Sequence, residues 1–144
     1  MTAVTWSGPE TTHPARTASR RSMDAVSRGA KEEWLDLFAA DGVVEDPVGK
    51  SMFDPTGEGH RGRDAIAAFW DMTIGNVERF EFDIRDSFAA GNEVANVGTI
   101  TTYLRGSIVD TEGVFVYRVD DDGLIVSMRA FWETERAMAT LRRV

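Results

Sequence analysis

The stretch Val43-Val44-Glu45-Asp46-Pro47-Val48-Gly49 holds the residue best placed to do chemistry: a carboxylate that closes a short apolar run just ahead of a proline. An acidic side chain on a strand that faces a core is costly to keep ionised, so its presence there points to function. Desolvation raises a carboxyl pKa, and a carboxylate tuned in that way moves a proton at neutral pH as a general base. The plainer role for Asp46 is a strand-end carboxylate that caps a turn before Pro47. His13 in the N-terminal segment and His60 in a loop beside Glu58 and Arg61 lack metal-ligand spacing and read as solvated. Asp120-Asp121-Asp122-Gly123 reads as a hairpin turn, since the rest of a calcium-loop pattern is missing. The chain has no cysteine, which excludes disulfides, thiolate metal sites and cysteine nucleophiles. Neither a cofactor nor a metal is expected.

The elements that must carry Asp46 follow from the period of the apolar residues. Residues 1–16 are rich in Thr, Pro, Ser and Gly, with only Val4 and Trp6 strongly apolar, and are expected to form a disordered tail. Residues 17–144 are expected to form a single domain. From Thr17 to Gly29, Ala18, Ser22, Ala25 and Val26 share one helical stripe, so Ser22 points the same way as the apolar face. A second helix is predicted from Lys31 to Ala40, with Trp34, Leu35 and Phe38 inward, and a short strand from Val43 to Asp46. Residues 47–62 carry Pro55 and several glycines and read as a long loop, placed directly after Asp46 to act as a lid. A third helix has Asp64 in its first turn, buries Ile66, Phe69, Trp70 and Ile74, and ends near Gly75.

Beyond Gly75 the period switches to two. Phe80, Phe82 and Ile84 alternate with Glu81, Asp83 and Arg85, a half-buried strand. Turn signals at Ala90-Gly91-Asn92, Arg105-Gly106 and Asp121-Asp122-Gly123 separate β-rich runs over about 94–104, 108–119 and 124–134. Helices first and an antiparallel meander afterwards make an α+β domain. A curved sheet closed over by three helices encloses a pocket, a common place for ligands.

Composition narrows the partners. Apolar content of 42% with 28% charged residues is ordinary for a soluble globular protein. A net charge of −8 disfavours nucleic acid and anionic membranes, and no apolar run approaches the length of a bilayer span. The N-terminus lacks an apolar signal region, and Arg20-Arg21 is followed by Ser-Met-Asp rather than a hydrophobic stretch. A cytoplasmic location is expected.

Three blocks now stand in order: Leu37-Phe38-Ala39-Ala40-Asp41 leading into Val44 to Gly49; Gly62-Arg63-Asp64-Ala65-Ile66-Ala67-Ala68-Phe69-Trp70; and Tyr117-Arg118-Val119 with the acidic turn to Gly123 and Met128-Arg129-Ala130-Phe131-Trp132. From Ser22 to the end of the last strand the chain thereby resembles the ketosteroid isomerase branch of the nuclear-transport-factor-2-like (polyketide-cyclase-like) superfamily. The resemblance implies a cone-shaped α+β fold, with three N-terminal helices on a strongly curved antiparallel sheet around an apolar pocket. It implies Asp46 as the general base, which removes a proton α to a carbonyl and returns it elsewhere on the same substrate. It also exposes departures. The position of the family's oxyanion tyrosine is Ser22, that of its protonated aspartate is Phe115, and its two further network tyrosines fall at Phe38 and Trp70. A preorganised oxyanion donor is worth about 100- to 1,000-fold in rate, so losing two removes most of the isomerase's advantage unless other donors replace them. Ser22 and the Trp70 indole are the candidates; Ser22 reads equally well as a small residue that makes room.

Strand parity separates Met128, Ala130 and Trp132 from Ser127, Arg129, Phe131 and Glu133. The resemblance puts the first set in the cavity with Phe69, Phe115 and Gly113, a lining that suits a flat apolar ligand such as a steroid or fused-ring polyketide. The same alternation also describes a filled core. The leading expectation is an isomerase-like protein acting on such a ligand through Asp46. Others are a non-catalytic steroid- or lipid-binding module, a polyketide cyclase, and an epoxide hydrolase in which Glu78 supplies a second acid. Phe131 with Arg129 and Ser127 on the other face suggests a homodimer interface.

Overall fold

The computed structural model describes residues 3–144. Its strands are β1 (Val4–Trp6), β2 (Phe38–Glu45), β3 (His60–Arg61), β4 (Arg79–Ala90), β5 (Glu93–Leu104), β6 (Ser107–Val119), β7 (Ile125–Phe131) and β8 (Arg142–Arg143). Its helices are α1 (Pro14–Ser27), α2 (Lys31–Leu35), α3 (Arg63–Met72) and α4 (Thr134–Met138), with one 3₁₀ turn at Ile74–Asn76. The strands form one curved sheet in the order β1-β4-β5-β6-β7-β2-β3, with β8 on the far end of β6. The fold class is α+β.

The meander from β4 to β7 is antiparallel, each hairpin turning where glycines were read as turn signals. Gly91, Gly106 and Gly123 all take positive φ there, which a side chain would oppose. The sheet as a whole is mixed, because β1 joins β4 and β2 joins β7 in parallel. Strand parity reveals which residues share a face but not which edge a distant strand will join.

Four stretches differ from the sequence expectation. Within the expected tail, Val4 to Trp6 form an edge strand, and the Arg20 guanidinium lies 4.3 Å from the centre of the Trp6 ring. Two apolar residues suffice because an open edge of β4 is there to receive them. α1 starts at Pro14 rather than Thr17, with His13 as its cap: Nδ1 accepts from the Ala15 amide at 3.1 Å, and Nε2 lies 2.9 Å from the Gly91 carbonyl. The second helix stops at Leu35, because the Leu37 carbonyl accepts from the Ile125 amide and Phe38 begins β2. Sheet pairing there overrides helical spacing. A fourth helix and β8, beyond the three helices and the meander expected, occupy the C-terminal stretch, where Arg136 pairs with Glu112 and Arg142 with Asp110.

α1 lies across β4, β5 and β6, and α3 lies against β2 and β3. Ala18, Ser22, Ala25 and Val26 are all buried on the sheet-facing side of α1. Gly98 and Gly113 face each other across β5 and β6. A Cβ on Gly98 would come within 2.3 Å of the Asp83 carbonyl oxygen, and one on Gly113 within 2.3 Å of the Phe131 carbonyl oxygen. Flanking strands thus pass closer than side chains allow, next to the register shift between Ile84 and Asp86.

Candidate active site

β2 lies between β7 and the edge strand β3 and brings its end alongside β7 by pairing Val44 with Met128 and Glu45 with Arg129. Asp46 follows at once, and the Val48 amide donates to the Ala130 carbonyl at 2.9 Å, so Asp46 runs beside β7. The Trp132 Nε1–H donates to Asp46 Oδ1 at 2.6 Å. The absent side chain of Gly113 makes room for this tryptophan, since a Cβ there would sit 3.1 Å from Trp132 Cβ. Although the residue as a whole is half-buried, its carboxyl lines an apolar cavity. Burial pushes the Asp46 carboxyl above the usual carboxylate range; the Trp132 hydrogen bond and the charge of His60 work in the opposite direction and do not overcome it.

The cavity has two parts. An inner chamber of about 80 Å³ lies between α1 and the sheet. An outer cleft of about 280 Å³ opens beside α3 and the 3₁₀ turn. Asp46, Ile74, Phe80, Ile100 and Phe115 line both, so the two adjoin and the carboxylate stands between them. Among the described residues it is the one carboxylate in either lining.

Besides Asp46, two polar groups interrupt the apolar wall of the inner chamber, the first of them the hydroxyl pair of Ser22 and Tyr117. Ser22 Oγ lies 3.0 Å from the Tyr117 hydroxyl and accepts from Trp34 Nε1–H at 3.0 Å. Burial pushes the Tyr117 phenol up to about 12; the Ser22 hydrogen bond opposes this and the Asp46 charge adds to it. Asn96 is the second polar group. Its Nδ2 donates to Ser19 Oγ at 3.0 Å and its Oδ1 accepts from Ser87 Oγ at 2.7 Å, while Ser87 accepts from the buried Arg16 Nε at 3.0 Å. That closed set fixes which way the Asn96 amide faces.

Of the residues singled out from sequence, Ser22, Asp46, Phe115, Met128 and Ala130 line the inner chamber, and Phe69 and Trp132 line the cleft. Phe38 and Trp70 line neither. They pack on Trp34 at 4.9 and 5.3 Å between ring centres, because β2 starts at Phe38 and turns its ring under α2. The Trp70 indole nitrogen sits against Gly75, away from the chamber. Gly113 shapes the site through strand approach and is not part of the wall. Glu78 accepts from the Arg105 amide at 2.8 Å, outside the cavity. His60 is on β3 opposite Val44 and packs on Phe69 at 4.9 Å between ring centres. Tyr117 and Asn96 were not among the candidates. Tyr117 stands two residues beyond Phe115 on the same strand face, so parity alone could have found it.

The fold and this cavity define a class, and comparison with known proteins agrees. The chain belongs to the SnoaL-like domain family, matched over residues 19–128, and to its ketosteroid-isomerase-like branch. A steroid Delta-isomerase of Nocardioides simplex is 32% identical over 117 residues, spanning 81% of this chain and 88% of that protein. The crystal structure of a Delta 5-3-ketosteroid isomerase from Mycobacterium sp. superposes with a TM-score of 0.81 at 37% identity, covering 92% of this chain and 100% of the other. A Mycobacterium tuberculosis protein crystallised in complex with estradiol-17beta-hemisuccinate gives 0.81 at 34% identity, covering 91% and 99%.

Proposed function

We propose that this protein isomerises an apolar polycyclic ketone of the Δ5-3-ketosteroid type, with Asp46 as the general base. The observation that carries this reading is a desolvated carboxylate, the one carboxylate among the described residues that line a mostly apolar cavity. Asp46 takes a proton from the carbon between the carbonyl and the double bond. The C–H electron pair becomes the new C=C of a dienolate, whose charge moves onto the carbonyl oxygen. The same proton then returns to the far carbon of the original double bond, and the carbonyl re-forms. Nothing is added or lost, so no cofactor is required. An elongated ligand would put its carbonyl near Ser22, Tyr117 and Asn96 in the inner chamber and its body along the cleft. The Trp132 N–H holds the carboxyl in place and opposes the rise of its pKa, favouring the ionised form that a base needs.

Ser22 and Phe115, where the family carries oxyanion groups, favour a second reading: a module that binds a steroid-like ligand without turning it over. An isomerase assay on a Δ5-3-ketosteroid with wild type and Asp46→Asn separates the two. Turnover that Asp46→Asn abolishes supports the enzyme; binding without turnover in both supports the module. An epoxide hydrolase reading lacks a second acid in the lining.

Residues 47–62 supply Phe53 to the cleft wall, and we propose that they serve as a lid. The outer sheet face carries Phe131, 42% exposed and lying beneath the Arg129 guanidinium, and we propose it as a homodimer contact.

A further inference from the structure

We infer that Tyr117 is the hydrogen-bond donor to the developing oxyanion, and that Trp34 aims it through Ser22. This rests on the isomerase reading above and supplies the donor that Ser22 and Phe115 leave missing. Three elements converge on the chain of groups: Trp34 from α2, Ser22 from α1 and Tyr117 from β6. The two links are both 3.0 Å.

The direction of the chain follows from what each group can do. An indole N–H only donates, so Ser22 Oγ must accept from Trp34. Between Ser22 and Tyr117 there remain two hydrogens and one hydrogen bond, so one hydrogen is free to face the chamber. Accepting from Trp34 polarises the serine O–H, making it a better donor and a poorer acceptor. Its hydrogen therefore goes to the tyrosine oxygen, and the phenol hydrogen is the one left over. The phenol is also the more acidic hydroxyl, hence the stronger donor to a negative oxygen. Ser22 is the one hydrogen-bond partner of the Tyr117 hydroxyl among the described residues; the Asp46 carboxyl shares the chamber and its charge reaches the phenol, but it makes no hydrogen bond to it, so the phenol hydrogen is left for a ligand. Its high pKa keeps the phenol protonated and able to donate throughout the neutral range. In this arrangement the donor has moved from helix to strand, with its hydroxyl still beside the helix position it vacated. Tyr117 is a catalytic residue; Ser22 and Trp34 are positioning residues.

The test is steady-state isomerase kinetics on a Δ5-3-ketosteroid with Tyr117→Phe, Ser22→Ala and the double variant, beside Asp46→Asn. Tyr117→Phe should lower kcat by about 100- to 1,000-fold with little change in KM, as loss of a transition-state donor does. Ser22→Ala should lower kcat on the order of tenfold, and should cost nothing further in the Tyr117→Phe background. Binding of estradiol, whose phenol imitates the dienolate oxygen, should weaken at least about tenfold in Tyr117→Phe when followed by tryptophan fluorescence. If Asp46→Asn is inactive but Tyr117→Phe stays within about twofold of wild type, the inference is overturned and the isomerase reading stands. If Ser22→Ala costs as much as Tyr117→Phe and still costs as much in its background, Ser22 is the donor and the inference is wrong. Absence of both turnover and estradiol binding in wild type overturns the isomerase reading and this inference with it.

Discussion

At Asp46 the same burial that makes a base also makes a burden. Its carboxyl pKa is raised in the folded chain above the unfolded value, so the folded state favours the neutral form. The resulting stability is fully present below the ordinary carboxyl value near 4 and is lost as pH rises through the folded pKa. Asp46→Asn removes that loss, so it should raise Tm at neutral pH while lowering kcat by about 100- to 10,000-fold, checked by thermal melts and the isomerase assay. For the wild type, kcat/KM should climb with pH along an acid limb that lies above the ordinary carboxyl value, because the base must be ionised. Trp132→Phe removes a donor that favours the ionised form, so this limb should shift to higher pH in a pH–rate profile.

Among the elements, the segment after Asp46 is held by its own aspartate. Asp54 accepts from the amides of Gly59 at 2.8 Å and Gly57 at 3.1 Å and from the Thr56 hydroxyl at 3.1 Å. The Gly59 bond is the main reason its carboxyl lies below the usual range. The order it gives the loop is therefore present at neutral pH and lost as pH falls through that lowered value. Asp54→Ala should speed hydrogen exchange at the Gly57 and Gly59 amides and raise KM more than it changes kcat. On the sheet, Gly113→Ala would drive a methyl into the Phe131 carbonyl and the base of Trp132. It should cost about 1–3 kcal/mol in chemical denaturation, as overpacking typically does, and should disturb the Trp132–Asp46 contact. The helix and hairpin patterns were legible because periods of 3.6 and 2 are imposed by local geometry. The end of α2 was not, because Phe38 suits an inward helix position and an inward strand position equally, and only the partner Ile125 decides between them.

For the whole molecule, the proposed dimer makes a direct expectation: light scattering at micromolar concentration should give about twice the chain mass of 15.9 kDa. Phe131→Asp should return the monomer without abolishing turnover, since Phe131 lines neither part of the cavity. No helix among the described residues is long and apolar enough to cross a membrane.

Sequence by itself determined the α+β order, the hairpin turns, the carboxylate at the end of β2, and the parity that groups Phe115 with Tyr117 and Met128 with Ala130. Each is a local property, set by backbone geometry within a few residues. Tertiary structure decided which of these meet. It placed Tyr117, 95 residues from Ser22, in one line of hydrogen bonds with Ser22 and Trp34. It docked Val4 to Trp6 on an open edge, and it kept Phe38 and Trp70 out of the cavity. Those outcomes depend on strand partners and helix packing, and neither leaves a mark on the period of the residues involved.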